Sequence, residues 1–291
     1  MRFLIANTVL EIKSRHKADD TCAISFDRYR YYGSRDPDIE LEVVLKDDPG
    51  RAAKNKIFTC MNPVTGRVSW DLARSGSVYV MEYRDSVFRQ IMRVNGDFDR
   101  GRIIFSGIGT WRLFDVISNF LEVMIIMRHA RAGSGISIHS ASARFRGGAG
   151  VVFAGRSGAG KTTISGLLDK RRGVQVLNDD RIFVCREGKG YALLACPWHS
   201  WSGESGGSEA VPLTRIYLLS HGRKNSLNPV PRSESFRGLY PHVFSPFWDR
   251  ERMGRVFDFC DELARRVPLF NLEFVNDESI LAFIKKEGGF A

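Results

Sequence analysis

The sequence predicts a protein of the α+β / α/β class, with a β-rich N-terminal domain over residues 1–108, a linking helix over 109–133 and a second domain over 134–291. Three observations predict this arrangement. Short alternating apolar runs, typical of half-buried strands, dominate the first domain. Beyond residue 134, strand-like and helix-like runs alternate. Residues 155–162, Gly-Arg-Ser-Gly-Ala-Gly-Lys-Thr, match G-x-x-x-x-G-K-[ST], the pattern of a glycine-rich phosphate-binding loop.

The N-terminal domain is predicted from runs in which apolar and polar residues alternate. Asn95-Gly96 separates two apolar stretches and is a strong signal for a hairpin turn, with residues 103–105 as the returning strand. Residues 46–50 are a cluster of turn formers that ends an earlier strand. The other strands expected here are residues 9–13, 39–45, 77–83 and 87–94.

A long apolar stretch over residues 111–128 predicts the linking helix. Asp115, Asn119 and Glu122 interrupt it, so it favours an amphipathic core helix over a membrane span. Gly133-Ser134-Gly135 is the expected hinge after it. In the second domain we expect strands at residues 135–141, 151–154, 174–177, 215–219 and 269–274, and helices after the loop, around 256–264 and at 278–286.

The flanks of the glycine-rich loop fit a phosphate site better than a turn that matches by chance. Residues 151–154 are fully apolar, as in a buried strand, and Ile164, Leu167 and Leu168 recur at helical spacing. Backbone N–H groups and the helix dipole would hold phosphate oxygens, with Lys161 on the terminal phosphates and the Thr162 hydroxyl on Mg²⁺. The sequence predicts ATP, or another nucleoside triphosphate, with Mg²⁺ on Gly155, Arg156, Ser157, Gly158, Ala159, Gly160, Lys161, Thr162 and Thr163.

Two adjacent carboxylates, Asp179 and Asp180, follow the strand expected at residues 174–177. One could bind Mg²⁺, and the other could accept a proton from an attacking hydroxyl. A turn or a helix cap is the alternative role, since Asp favours both. Their place one helix after the loop favours the chemical role. His139 lies one expected strand before the loop, and a lone histidine is more often structural than catalytic.

The charge and the cysteine content of the sequence limit the ligands and partners that we expect. The net charge is +10, but the basic residues are dispersed, with doublets such as Arg171-Arg172, and no recognition helix or basic tail is evident. We therefore expect a polyphosphate ligand or an acidic partner in preference to nucleic acid. The five cysteines show no zinc or C-x-x-C spacing and are expected as reduced thiols. The sequence shows no secretory signal and no apolar run that would span a membrane, so we expect a cytoplasmic protein that does not bind membranes. The sequence leaves open whether the protein forms homo-oligomers.

The order of His139, the loop, one helix and Asp179-Asp180-Arg181 resembles the catalytic domain of the HPr kinase/phosphorylase family. That family shares a P-loop kinase fold with phosphoenolpyruvate carboxykinase. The resemblance covers about residues 134–290, and the ordered set of motifs is more specific than the loop alone. It implies that His139 is the active-site histidine and that Asp179 is the proton acceptor, with Asp180 as second choice.

The resemblance also implies that Lys161 binds phosphate, that Thr162 binds magnesium and that a downstream glutamate, Glu204, is a further magnesium ligand. The motif around Glu204 differs from that of HPr kinases, and the β-rich first 105 residues do not resemble their N-terminal domain. Residues 197–204 resemble divergent HPr-kinase-like proteins, some of which phosphorylate a serine of a peptide. This segment could be a packed loop, or its polar groups could equally line the acceptor pocket.

These observations predict a kinase that transfers a phosphoryl group from ATP to a hydroxyl, expected to be a serine of a peptide or small protein. One alternative is a nucleotide-hydrolysing switch or assembly factor without a phosphoryl acceptor, in which Asp179 would serve at the magnesium. Another is a small-molecule kinase, since acceptor choice depends on loops that the motifs do not describe.

Overall fold

The structure, a computed structural model, describes residues 1–14, 24–50, 55–61, 65–84, 88–107, 113–169, 171–198 and 207–290 of the 291. The chain divides into two compact units. Unit 1 consists of Met1–Arg131 and Pro246–Arg250, and unit 2 consists of Ala132–Ser245 and Glu251–Ala291. Each unit has its own large sheet.

Unit 1 is built on an eight-stranded sheet. The strands are β1 (Arg2–Ile5), β2 (Thr8–Ser14), β3 (Ile39–Leu45), β4 (Lys56–Met61), β5 (Val68–Ser75), β6 (Val78–Arg84), β7 (Phe88–Asn95) and β8 (Arg100–Gly107). They lie in the order β1-β2-β3-β8-β7-β6-β5-β4. β3 is parallel to both of its neighbours, and the other pairs are antiparallel.

The strand predictions for unit 1 are confirmed where apolar residues alternate strictly. β3 spans the predicted residues 39–45, and Ile39, Leu41 and Val43 are buried. The hairpin at Asn95-Gly96 is also confirmed, because β7 ends at Asn95 and pairs antiparallel with β8. β1, β4 and β5 were not predicted, since β1 has only four residues and most of β4 and β5 is exposed or half-buried.

Four aromatic side chains from distant parts of the sequence pack together in unit 1. Phe58 of β4 and Trp70 of β5 meet Phe247 and Trp248 of the segment Pro246–Arg250. The ring of Trp248 lies 4.9 Å from that of Phe58 and 5.7 Å from that of Trp70, between centroids. This late segment therefore completes the packing of two early strands.

The helices of unit 1 are α1 (Ile24–Asp27) and α2 (Leu113–Ala132). The predicted start of α2 at Trp111 lies outside the described residues. On α2, His129 is buried, and its Nε2 donates to the Ala6 carbonyl at 2.8 Å. Burial lowers the pKa of His129 to about 4, with a further contribution from the charge of Arg128. Within the described ranges, no helix is long and apolar enough to cross a membrane.

Unit 2 contains nine strands and most of the helices. The strands are β9 (Gly135–Phe145), β10 (Gly150–Ala154), β11 (Val174–Asn178), β12 (Arg181–Glu187), β13 (Gly190–Leu194), β14 (Ala210–His221), β15 (Ser226–Pro229), β16 (Val243–Phe244) and β17 (Leu269–Phe274). The helices are α3 (Lys161–Leu168), α4 (Arg232–Leu239), α5 (Arg250–Arg266) and α6 (Ser279–Gly288), with a 3-10 turn at Tyr240–His242.

The main path of this sheet is β10-β9-β12-β13-β14-β17-β15, with β11 and β16 paired to β9. β10 also pairs with β14, so five strands close a ring. One face of the sheet packs against α3 and α6. This core contains Ala141, Ala143 and Phe145 of β9, Val151 and Phe153 of β10, Ile164 and Leu168 of α3, and Ile280 and Ile284 of α6.

The predicted α+β / α/β class, with a P-loop domain of the HPr kinase type, is wrong. Only 26% of the described residues are helical, and two large sheets dominate the molecule. β11, β12, β13 and β14 follow one another with no α-helix among the described residues between them. The error has a physical origin, because a buried apolar run does not distinguish a parallel from an antiparallel strand. The individual strands 151–154 and 269–274 are nevertheless confirmed as β10 and β17.

Candidate functional site

The glycine-rich loop lies at one edge of the unit 2 sheet. β10, β14 and β17 run parallel, with Ala154 opposite Leu218 and Leu218 opposite Asn271. Their carboxyl ends therefore lie at the same edge, and the loop leaves from the end of β10. Ligands of sheets with parallel strands bind outside these carboxyl ends, so this edge is the candidate site.

β9 brings the separate parts of the site together through its pairing on both sides. On one side, Ser140 is opposite Ala154, the last residue of β10, and Ile138 is opposite Val243, the first residue of β16. β10 and β16 thus meet the same strand end to end. The residue of β9 between Ile138 and Ser140 is His139. It lies beside the point where the chain leaves β10 and enters the glycine-rich loop.

The other side of β9 faces the junction between β11 and β12. Arg181, the first residue of β12, is opposite His139, and the Ser140 N–H donates to the Asp180 carbonyl at 3.0 Å. His139 therefore lies between the glycine-rich loop and the aspartate pair. In a strand alternate residues share a face, so His139 is on the face of Ala141 and Ala143, which packs against α3.

Two glycines of the loop have backbone angles in the left-handed region, with φ of 80° at Gly158 and 98° at Gly160. A Cβ on Gly160 would lie 2.5 Å from Cζ of Phe274, at the end of β17. His221, the last residue of β14, makes a 2.8 Å hydrogen bond through Nε2 with the Gly158 carbonyl. The ends of two neighbouring strands therefore fix the path of the loop.

Lys161 is the first residue of α3, and its side chain folds over the loop. Its Nζ donates to the Gly155 carbonyl at 2.9 Å and to the Arg156 carbonyl at 3.1 Å. Burial lowers the pKa of Lys161, whereas the nearby charge of Asp180 raises it. The N-cap residue is Gly160, which makes no side-chain capping bond. The first amides of α3 thus lack the partner that a Ser or Asp cap would supply.

Asn178 shapes the turn that presents the two aspartates. Its Nδ2 donates to the Cys196 carbonyl at 2.8 Å, and its Oδ1 accepts from the N–H groups of Asp180 and Arg181, each at 3.0 Å. Asn178 is fully buried, so these bonds hold the turn rigidly. Asp179 is 2% exposed, whereas the side chain of Asp180 is 27% exposed.

The carboxylate of Asp180 is bound from two sides. Nε2 of His139 lies 3.3 Å from its Oδ1, and Nε of Arg181 donates to its Oδ2 at 2.8 Å. Burial opposes ionisation of this carboxyl group, but the His139 hydrogen bond and the Arg181 charge outweigh it and lower the pKa of Asp180 to about 2. The Arg181 guanidinium also lies 5.0 Å from the ring centroid of Phe244. Asp180 is therefore an ionised carboxylate in a fixed position.

His242 joins this group from the 3-10 turn that precedes β16. It is half-buried. Burial lowers the pKa of His242 to about 4, and the charges of Lys161, His139 and Arg156 add to this effect. Groups of the loop, of α3 and of β9 thus all oppose protonation of His242.

The structure brings most of the predicted site residues to one sheet edge. The loop extends over Gly155, Arg156, Ser157, Gly158, Ala159 and Gly160, and Lys161, Thr162 and Thr163 form the first turn of α3. Thr162 is exposed. Glu204 lies outside the described residues. Among the described residues, no cluster of three or more His, Cys, Asp or Glu side chains could hold a metal ion.

Sequence reasoning assigned no role to four residues of this site: Asn178, Arg181, His221 and His242. The first three were detectable in principle, since each lies at the end or start of a strand at the candidate edge of the sheet, and Arg181 was already part of the motif Asp179-Asp180-Arg181. No local sequence pattern indicated that His242 belongs to the site. It reaches the site through the pairing of the two-residue strand β16 with β9, about 100 positions earlier in the chain.

Fold and site together define a β-rich protein of two units, with a glycine-rich phosphate-binding motif and an ionised aspartate at one sheet edge. The family model of the SynChlorMet cassette protein ScmC matches residues 112–276, more than half of the chain, and the chain belongs to this family. The resemblance to HPr kinase/phosphorylase is therefore wrong as a family assignment. No curated protein matches the chain.

The wrong assignment has a physical explanation. A histidine, a glycine-rich loop and an aspartate pair in this order describe three short segments, whereas a family is defined by the whole sequence pattern around them. The matched region extends from the start of α2 to β17 and includes every predicted site residue from His139 to Glu204.

Proposed function

We propose that this protein is an ATP-dependent phosphotransferase that transfers a phosphoryl group to a hydroxyl, in the first instance a serine of a peptide or small protein. One observation supports it above the others. The phosphate-binding motif, with Lys161 and the uncapped amides of α3, shares one sheet edge with an ionised carboxylate that His139 and Arg181 hold in place. Phosphoryl transfer needs these two kinds of group in one site.

On the phosphate side, Lys161 and the amides of α3 would bind the donor. An ammonium group has three N–H donors, and the carbonyls of Gly155 and Arg156 accept two of them. The third can donate to a phosphate oxygen. Arg156 is exposed in the same loop and adds positive charge. The N-terminus of α3 contributes amide donors and a favourable dipole.

The oxygen donors nearby suit Mg²⁺, which prefers hard oxygen ligands and keeps several waters and substrate phosphates in its coordination shell. The exposed Thr162 hydroxyl and one aspartate of the pair would hold the ion. When bound, Mg²⁺ would neutralise part of the charge on the phosphates.

On the acceptor side, an aspartate would orient the attacking hydroxyl and take its proton. As the hydroxyl oxygen forms its bond to the γ-phosphorus, the bond to the leaving ADP breaks and the hydroxyl proton moves to the carboxylate. The sequence assigns this role first to Asp179. The exposures support Asp180 instead, since its side chain is 27% exposed and Asp179 is only 2% exposed.

The first test is nucleotide binding by isothermal titration calorimetry. Lys161→Ala should weaken the binding of ATP with Mg²⁺ by about 100-fold, because charge-assisted contacts to phosphate are lost. Lys189→Ala is the matched control, since Lys189 is an exposed lysine of the turn between β12 and β13 in the same unit. Equal affinity of the two variants would contradict a phosphate role for Lys161.

The second test is phosphoryl transfer with γ-labelled ATP. The family description names a cassette, so serine peptides encoded beside the gene are the first acceptors to try. Asp180→Asn should lower transfer by about 100-fold or more while ATP still binds, and Asp179→Asn reports on the other carboxylate.

ATP hydrolysis by the wild-type protein with no labelled acceptor would support the nucleotide-hydrolysing switch instead. Labelling of a small alcohol but no peptide would support the small-molecule kinase. We also propose that the protein acts in the cytoplasm, as its sequence predicts.

A further inference from the structure

His242 has no role in the proposed phosphoryl transfer, although it lies close to the glycine-rich loop. β16 runs antiparallel to β9, with Phe244 opposite Ser137 and Val243 opposite Ile138. The next step of this register puts His242 beside His139. β10 reaches the same point from the other direction, since Ala154 is opposite Ser140. The backbone alone therefore brings His242 next to the start of the glycine-rich loop.

The surroundings of His242 are rich in positive charge. Arg156 acts on it from the loop, Lys161 from α3 and His139 from β9. Helix α4, which precedes the 3-10 turn, carries Glu234 and Arg237, and both are exposed to solvent. Burial and these neighbouring groups lower the pKa of His242 to about 4, so its imidazole is uncharged at neutral pH.

We propose that His242 is a further binding residue of this site, which donates a hydrogen bond to an oxygen of the bound polyphosphate as an imidazolium. A polyphosphate would bring several negative charges among Arg156, Lys161 and His139. It would thereby replace the repulsion that now opposes protonation with attraction. Binding of the anion is then coupled to the uptake of one proton from solvent. The inference rests on the proposed function for the kind of ligand, but not for transfer to an acceptor.

The direction in which the anion changes the pKa of His242 defines the pH range in which proton uptake should be measured. Without the anion, His242 binds a proton only as the pH falls to about 4. With the anion, protonation should occur near the ordinary histidine pKa of about 6.5 or above it. Proton uptake should therefore be largest between these two values, and pH 5.5 lies inside the window.

The test is calorimetric titration of the full chain with inorganic tripolyphosphate at pH 5.5, in two buffers that differ in ionisation enthalpy. The dependence of the heat on the buffer gives the number of protons taken up. The wild-type protein should take up about one proton more than His242→Asn, which keeps a neutral hydrogen-bonding side chain. The variant should also bind about tenfold more weakly at pH 5.5, with a smaller difference at pH 8. Protons released by tripolyphosphate itself cancel in the comparison.

A second measurement uses the wild-type protein alone. The carbon-bound ring proton of His242, followed by NMR, should titrate near pH 4 without tripolyphosphate and at least one unit higher with it. An unchanged midpoint, equal proton uptake by wild type and variant, or no binding of tripolyphosphate would overturn the inference. A protein that passes both measurements but labels no acceptor would overturn only the proposed phosphotransferase activity.

Discussion

Unit 1 and unit 2 each contain a histidine whose pKa is lowered to about 4, and the two histidines differ in what surrounds them. In unit 1, His129 is almost fully buried and donates to the Ala6 carbonyl. In unit 2, His242 is only half-buried, and Lys161, His139 and Arg156 add to the effect of burial. Burial is therefore the largest cause in both units, but three neighbouring charged groups add to it at His242 and one, Arg128, at His129.

The difference shows how one property can have a structural or a chemical meaning. A solvent proton reaches the ring of His129 only if the packing around it opens, so its titration is coupled to unfolding. The charges of Lys161 and Arg156 oppose protonation of His242, and an anion can neutralise them, so its titration can be coupled to binding. Variants of residues in both units test this contrast.

The largest effect is expected in the loop of unit 2. Gly160→Ala should lower the free energy of unfolding by about 4 kcal/mol, since a left-handed backbone costs an alanine about 1–2 kcal/mol and overlap with Phe274 adds about 1–3 kcal/mol. Gly76→Ala in the β5–β6 turn of unit 1 is the control, because no atom lies within 4 Å of its Cβ position. Chemical denaturation of both variants measures the difference. Equal losses would mean that the loop can shift without cost.

An intermediate effect is expected from His129 in unit 1. As the pH falls from about 6.5 towards 4, the unfolded chain binds a proton that the folded protein does not, so the wild type should lose about 3 kcal/mol of unfolding free energy. His129→Gln can still donate to Ala6 but does not titrate, and it should lose correspondingly less. Denaturation curves at several pH values measure this. An identical pH dependence in both proteins would show that folding does not lower the pKa of His129.

The smallest effect is expected from an ion-pair network of unit 1. Asp38 accepts hydrogen bonds from Arg128 at 2.7 Å, from the Val9 N–H at 2.8 Å and from Arg35 at 2.9 Å. Asp38→Asn should lower the free energy of unfolding by about 1–2 kcal/mol. Glu251→Gln in unit 2 is the control, because its exposed pair with Arg255 should contribute less than about 0.5 kcal/mol. Thermal denaturation of the two variants should separate them clearly.

The sequence was most informative where structure depends on neighbouring residues. The alternating run 39–45, the apolar run 269–274 and the strand and helix on either side of the loop were all predictable from local pattern. Strand direction was not, because a buried apolar run looks the same in a parallel and an antiparallel pair. The fold class was wrong for this reason.

The site shows the same limit. The loop and the aspartate pair lie in continuous segments and were recognisable, although their proposed chemistry stays a prediction. The place of His242 depends on two pairings, of β16 and of β10 with β9, and neither pairing is encoded near His242. Long-range register is set by the packing of the whole sheet, so no local pattern reports it.

The contact of Trp248 with Phe58 and Trp70 has a consequence for the order of synthesis. A ribosome releases β4 and β5 early, but the segment Pro246–Arg250 follows only after most of unit 2 has been made. Domains generally fold as they emerge, N-terminal first. Here the first unit cannot complete its aromatic cluster until translation is almost complete. A gene fragment that stops at residue 131 would encode a unit that lacks two of the four aromatic side chains of this cluster.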